Sequence, residues 1–377
     1  MKFLLIYVPN LRFEKFNNNW SRTTISKVCV CNPKNEDKLD DEFIYIDLES
    51  VEKGVLKSKN IIHLKNAPSR AQRILYKNDI LFQSVRPYQR NNYLLNEDDD
   101  FLQYVASTGY IQLRTTLNPY FLFQLLNTDK INNEVMLRCT GTSYPAINSN
   151  DFSNILITIT NDRNEQNKIA KFFSLIEERI QTQIKIINDY KILKNHIIKS
   201  FIKQNGTSYL LSEIAELGRG RVINSAEISK QKNPIYPVYS SQTSNNGIMG
   251  YLDNYDYEGE YITWTTDGAN AGTVYYRNGK FNCTNVCGIL KIKNGYDAYY
   301  ISNILNCYTK KYVSTNLANP KLMNNVMANI KINLPSIEQQ KHSSKILQSI
   351  EYRVEIEEDI KLNLVKQKAF LLKNMFI

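Results

Sequence analysis

The chain has 377 residues, 42% of them hydrophobic, and carries 47 Lys+Arg against 37 Asp+Glu, a formal charge of +10. That length exceeds one ordinary domain, and the apolar share excludes a disordered polypeptide. The basic surplus suits an anionic partner such as nucleic acid.

The opening MKFLLIYVPN holds a short apolar run broken by Pro9 and Asn10. It is too short for a secretory signal and lacks a small-residue cleavage site. No stretch approaches the roughly 18 apolar residues of a membrane span, so a cytoplasmic location is expected. Six cysteines (29, 31, 139, 283, 287 and 307) accompany three histidines, His63, His196 and His342, none at a zinc-ligand spacing. Reduced structural thiols are expected, with no metal and no cofactor.

In chain order, KNDILFQSVRPYQRNNYLL (77–95) reads as strand, polar loop and strand. NPYFLFQLLN (118–127) follows, and SYPAINSNDFSNILITI (143–159) closes the first globular portion. NDRNEQNKIAKFFSLI (161–176) then opens a helical run of about 163–203. The same succession returns. YEGEYITWTTDGANAGTVYY (257–276), DAYYISNILN (297–306) and ANPKLMNNVMANIKINL (318–334) precede LPSIEQQKHSSKILQSI (334–350), the start of a second helix over about 337–376. The expected divisions are therefore a first globular domain at 1–160, a first helix at 161–204, a second domain at 205–335 and a second helix at 336–377. The fold class is α+β.

Both helices carry an apolar seam every 3.5 residues. In the first it runs Ile169, Phe173, Ile176, Ile180, Gln183, Ile187, Tyr190, Lys194, Ile197, Phe201. In the second it runs Ile346, Ile350, Val354, Glu357, Ile360, Leu364, Lys368, Leu371, Met375. Each helix is roughly 60 Å long and needs a partner along its length. An antiparallel coiled coil in which facing residue numbers sum to 551 sets apolar against apolar. It places Lys194 by Glu357, Gln183 by Lys368 and Ile187 by Leu364. The domains would then sit apart by up to the helix length, roughly 60 Å.

Two globular portions, each followed by a helix opened by Glu-Gln, resemble the specificity subunits of type I restriction–modification systems. The carriers are NEQNKIAKFFSLIEERI and LPSIEQQKHSSKILQSIEYRV, the tails KNHIIKSFI and LLKNMFI, and the early LRFEKFNNNW. Residues 233–282 look like a target-recognition domain of that family. Two departures stand out. The first Glu-Gln lacks the Leu-Pro that precedes the second, and VRPYQRNNYLL replaces the glycine-rich GANAGTVYY. The resemblance implies a non-catalytic subunit that reads a split sequence in double-stranded DNA, each domain taking one half. It implies two adenine methyltransferase subunits docked on the helices, with translocating nuclease subunits joining them.

DNA reading requires basic, amide and hydroxyl side chains on loops. The first domain offers Arg70, Arg73, Gln83, Ser84, Arg86, Gln89 and Arg90, with Thr140, Thr142 and Ser143 further on. The second offers Arg219, Arg221, Ser241, Gln242, Asn245, Thr266, Asp267, Asn270, Asn316, Asn319 and Lys321. Any one of them could equally be a solvated loop residue; the clusters carry the reading. NPIY (233–236) and NPYF (118–121) lack the proline pair of an adenine-methyltransferase element, and no glycine-rich cofactor loop accompanies them. The run EDDD (97–100) reads as a solvated acidic turn. The alternatives are an orphan specificity subunit working without a nuclease and a coiled-coil adaptor that binds protein.

Overall fold

The computed structural model describes residues 7–96, 101–203, 205–314 and 319–377. The acidic run 97–100 and Asn316 therefore lie outside the described residues. The chain divides into two compact units, 1–184 with 359–377, and 185–358. Each unit is a globular portion plus one half of each long helix, so the compact units do not follow the helix boundaries.

In the first unit Ser21–Thr24 pairs antiparallel with Leu156–Ile159. A four-stranded sheet runs in the order Asn60–His63, Glu42–Ile46, Gln103–Ser107, Ala71–Leu75, with 42–46 and 103–107 parallel. A second, antiparallel sheet orders Cys29–Cys31, Tyr110–Thr115, Ile80–Gln83 and Tyr93–Leu94. Helix α1 (Pro119–Leu126) starts where Asn118 accepts from the Phe121 N–H and Pro119 supplies a helical φ without needing a donor. Helices α2 (Asp129–Met136) and α3 (Ser149–Ser153) follow, each with its own side-chain cap, from Thr128 and Asn148. The long helix α4 spans Arg163–Ile202.

In the second unit Thr207–Leu210 pairs antiparallel with Lys331–Leu334, the counterpart of the 21–24/156–159 pair. One six-stranded sheet orders Ala215–Arg219, Cys287–Ile292, Tyr257–Thr265, Val274–Cys283, Tyr236–Tyr239 and Ile248–Leu252. Short helices α5 (Leu211–Ile214) and α6 (Ser225–Ser229) precede α7 (Ala298–Tyr308), which Asp297 caps through the Tyr300 N–H. Helix α8 (Asn324–Ala328) leads to the second long helix, α9, Ile337–Met375.

The repeated Glu-Gln acquires a mechanical reason here. Gln166 is buried; its Nε2 donates to Thr160 O at 2.9 Å and its Oε1 accepts from the Asn118 N–H at 2.9 Å. Gln340 repeats both bonds, donating to Pro335 O at 2.8 Å and accepting from the Asp297 N–H at 3.1 Å. Each glutamine ties the last strand, the short capped helix and the long helix together, using backbone groups that burial would otherwise leave unpaired. The structural equivalents are thus Gln166 and Gln340, not the two glutamates. Glu165 is buried and takes a bidentate bond from Arg12 at 2.6 and 2.9 Å, whereas Glu338 is exposed.

The helix tails are equivalent too. Met375, the last residue of α9, and Phe376 just after it enter the first core, where the Phe376 ring lies 5.4 Å from Phe121, 5.9 Å from Phe173 and 6.2 Å from Trp20. Ile198 and Phe201 of α4 join the second, with Phe201 6.2 Å from Tyr300. Each globular portion therefore packs on the start of one long helix and the end of the other.

Within each unit the helix halves run antiparallel. Lys368 ion-pairs with Glu177 in the first unit; in the second, Lys194 pairs with Glu351 and Lys191 with Glu358 at 2.8 Å. The expected Lys194–Glu357 pair is not formed. Glu357, buried, takes Arg353 of its own helix at 2.6 Å, and the flexible lysine stem reaches along its partner helix to Glu351. Ile180, Gln183, Ile187 and Leu364 are buried, and Ile176, Lys194, Ile197, Ile350, Val354 and Leu371 half-buried. Ile360 is exposed while Lys361 turns half inward, the drift of a 3.6-residue helix against a 3.5-residue seam. Among the described residues no helix is long and apolar enough to cross a membrane.

Candidate nucleic-acid interface

In the first unit the segment 83–92 links two strands through a 3-10 turn, Pro87–Gln89, flanked by Arg86 (φ 54°) and Arg90 (φ 54°), both left-handed. Such backbone costs a side chain on the order of 1 kcal/mol and persists only where neighbours fix it. Gln83 does so from inside. Fully buried, it donates to Val85 O at 2.9 Å and Gln89 Oε1 at 2.8 Å and accepts from the Asn91 N–H at 2.9 Å. Ser84 is buried as well, donating to Gly109 O at 2.7 Å, and the Arg86 N–H donates to Pro145 O at 2.7 Å. Gln83 and Ser84 thus shape the loop from within.

The arginines separate into free and engaged. Arg86 stacks on Tyr144, its Cζ 4.4 Å from the ring centroid, and Arg70 is exposed. Both line an open cleft of about 930 Å³ with Lys53, Lys57, Gln89 and Asn91, and with Glu49 and Glu52 among its walls. Arg90 instead pairs with Asp129 at 2.7 Å. Arg73 is half-buried on its strand, its Nε without a hydrogen-bond partner; burial holds its pKa below the usual guanidinium value. Thr140, Thr142 and Ser143 are exposed. Sequence reasoning missed Tyr144, Lys53, Lys57 and Asn91. Tyr144 stood next to Ser143 in the chain, but nothing local says that it faces Arg86.

In the second unit three segments converge. Asn270 donates to Thr243 Oγ1 at 3.2 Å, the Gly268 N–H donates to Pro320 O at 3.0 Å, and Asp267 lies 3.7 Å from Lys321. Gly272 (φ +81°) is obligatory in this turn, since an added Cβ would meet Val313 at 2.9 Å. Thr266 is buried and donates to Asp267 at 2.7 Å. Ser241 and Gln242 are half-buried, Gln242 donating to Ile248 O. Asn245 and its neighbour Asn246 have left-handed backbone, and both are exposed. Asn270 and Asn319 are exposed too. Arg219 is exposed, its guanidinium 3.5 Å from Met323 Sδ. Arg221 donates to Glu227 at 2.7 and 3.1 Å and to Asp256 at 3.0 Å; its hydrogen bond to Glu227 is the main cause of its raised pKa.

The residue missed here is Arg277. It is buried between Tyr239 and Tyr275, its Cζ 3.5 and 4.4 Å from their centroids, and it donates to Asn246 O at 2.9 Å. Burial lowers its pKa. The tyrosines flanking it in YYRNG (275–279) gave only a strand signal. Among the described residues no group of His, Cys, Asp or Glu could hold a metal ion. Burial pushes the Cys29 thiol up to about 12 and Cys31 to about 11.

These features define a class: a duplicated α+β chain whose two loop-bearing portions are fixed to a pair of antiparallel long helices. Residues 205–367 match the family model of the type I restriction modification DNA specificity domain. A putative type I specificity subunit N-terminus from Mycoplasma pneumoniae is 43% identical over 142 residues, 37% of this chain and 75% of that protein. A second putative type I specificity subunit from that organism is 37% identical over 191 residues, 49% of this chain and 79% of its own length. The crystal structure of a type I restriction–modification S subunit from M. genitalium superimposes with a TM-score of 0.64 over 98% of this chain and 99% of that one. At 17% identity this last match speaks for the fold. The chain belongs to the type I restriction–modification specificity subunits.

Proposed function

We propose that this chain is the non-catalytic subunit that reads a split sequence in double-stranded DNA for a type I restriction–modification complex. Each globular portion takes one half of the target. The helices hold two adenine methyltransferase subunits, and translocating nuclease subunits join that core. One observation carries the reading: Gln166 and Gln340 anchor the two portions to their helices through the same pair of bonds, while the side chains that the loops present are unlike. A duplicated anchor with unlike loops is what two independent readers on one frame require. Sequence is then read by arginine, amide and hydroxyl groups at base edges, and affinity comes largely from phosphate contacts.

The test exchanges residues 1–160 for the corresponding portion of another specificity subunit. The chimaera and the parent are each expressed with the methyltransferase subunit, and the host's methylated adenines are mapped. A split motif that changes in one half only is expected. Changes in both halves, or no split motif from the parent, would refute the two-reader model.

A further inference from the structure

Resting on that reading, the geometry points to Arg86 as the side chain that reads a guanine in the first half-site, with Tyr144 as its positioning residue. Three observations converge. First, carboxylates neutralise two of the candidate arginines, Arg90 by Asp129 and Arg221 by Glu227 and Asp256. Among the described residues no carboxylate pairs with Arg86. Second, Arg86 sits in left-handed backbone that Gln83 and Pro145 hold in place, so its side chain leaves the loop in a fixed direction. Backbone of that kind is retained where the surroundings over-determine it, which invites a functional reason. Third, the guanidinium lies over the Tyr144 ring at 4.4 Å, and Tyr144 itself is 63% exposed.

Stacking occupies one face of a guanidinium and leaves its in-plane N–H groups available. That planar fork matches the O6 and N7 acceptors of guanine in the major groove. Lys53, Lys57 and Arg70 in the same cleft outweigh Glu49 and Glu52, so the walls attract phosphates on either side of the reading position. A phosphate needs no orienting ring; a base edge does.

The experiment compares Arg86→Lys, Arg86→Ala, Tyr144→Ala and Tyr144→Phe in the full chain, each co-expressed with the methyltransferase subunit. Methylated motifs are mapped, and the complexes' affinity for the motif is measured against salt. The expectation is a single G·C position that relaxes in the first half of the motif, discrimination there falling by roughly 5- to 150-fold. Arg86→Lys should relax it nearly as much as Arg86→Ala, because an ammonium keeps the charge but not the fork. Tyr144→Ala should relax the same position and Tyr144→Phe should leave it intact, which separates stacking from a general folding defect. A uniform loss of affinity with a shallower salt slope and an unaltered motif would make Arg86 a phosphate contact and overturn the inference. An unaltered motif in Tyr144→Ala would overturn the positioning role. A parent that yields no split motif would instead overturn the functional reading itself.

Discussion

The loops proposed to read DNA differ between the two units in the side chain that is buried beneath them. In the first, an uncharged amide, Gln83, is buried under the turn and arginines face outward at Arg70 and Arg86. In the second, an arginine, Arg277, is buried between two tyrosines and the amides Asn245, Asn246 and Asn270 face outward. Beneath the loops the frames coincide, with the same strand pair, the same capped short helix and the same glutamine anchor. The difference teaches that the duplication keeps the anchors of the frame, while the buried lock of each loop has diverged. Groups that reach solvent are free to diverge, and arginine outside one loop against asparagine outside the other suits different bases.

The comparison breaks first at Arg12. Arg12→Ala would strand the fully buried Glu165 carboxylate, costing about 3–5 kcal/mol in the first unit only. Denaturant unfolding resolved by unit should show one transition moving and the other still; equal movement of both would contradict the asymmetry.

Next come the anchors. Gln166→Ala and Gln340→Ala each leave a half-buried backbone N–H and a buried carbonyl unpaired, and each should cost about 2–4 kcal/mol in its own unit. Matching costs in calorimetry sharpen the claim of a common frame, and a two-fold or greater disparity would break it.

A smaller effect is expected at the second loop. Arg277→Met keeps the apolar stem and loses the bond to Asn246 O, for about 1–3 kcal/mol. Methylation mapping should then show relaxed reading in the second half of the motif with the first half unchanged. Smallest of all are the engaged arginines. Arg90→Ala and Arg221→Ala remove solvent-accessible ion pairs, so each should shift stability by under about 1 kcal/mol. Both should leave the motif as it was, and a motif altered by Arg90→Ala would restore that residue to the reading surface.

What the sequence determined by itself is what periodicity encodes locally. Runs without Gly or Pro and with apolar residues every third or fourth position became helices at Arg163–Ile202 and Ile337–Met375, and the internal repeat announced a duplicated frame. Even Gln183 and Glu357, polar residues at seam positions, are buried where the count put them. Only the tertiary structure decided which polar group meets which. Lys194 took Glu351, Gln83 turned under its own loop, Arg90 and Arg221 found carboxylates, and Arg86 found Tyr144, 58 residues further along the chain. The reason is physical. An amphipathic helix needs only a face to bury, and that face is written at a fixed spacing, whereas a hydrogen bond or ion pair selects among partners a few ångströms apart. Those distances are set by turns and packing that bring distant segments together.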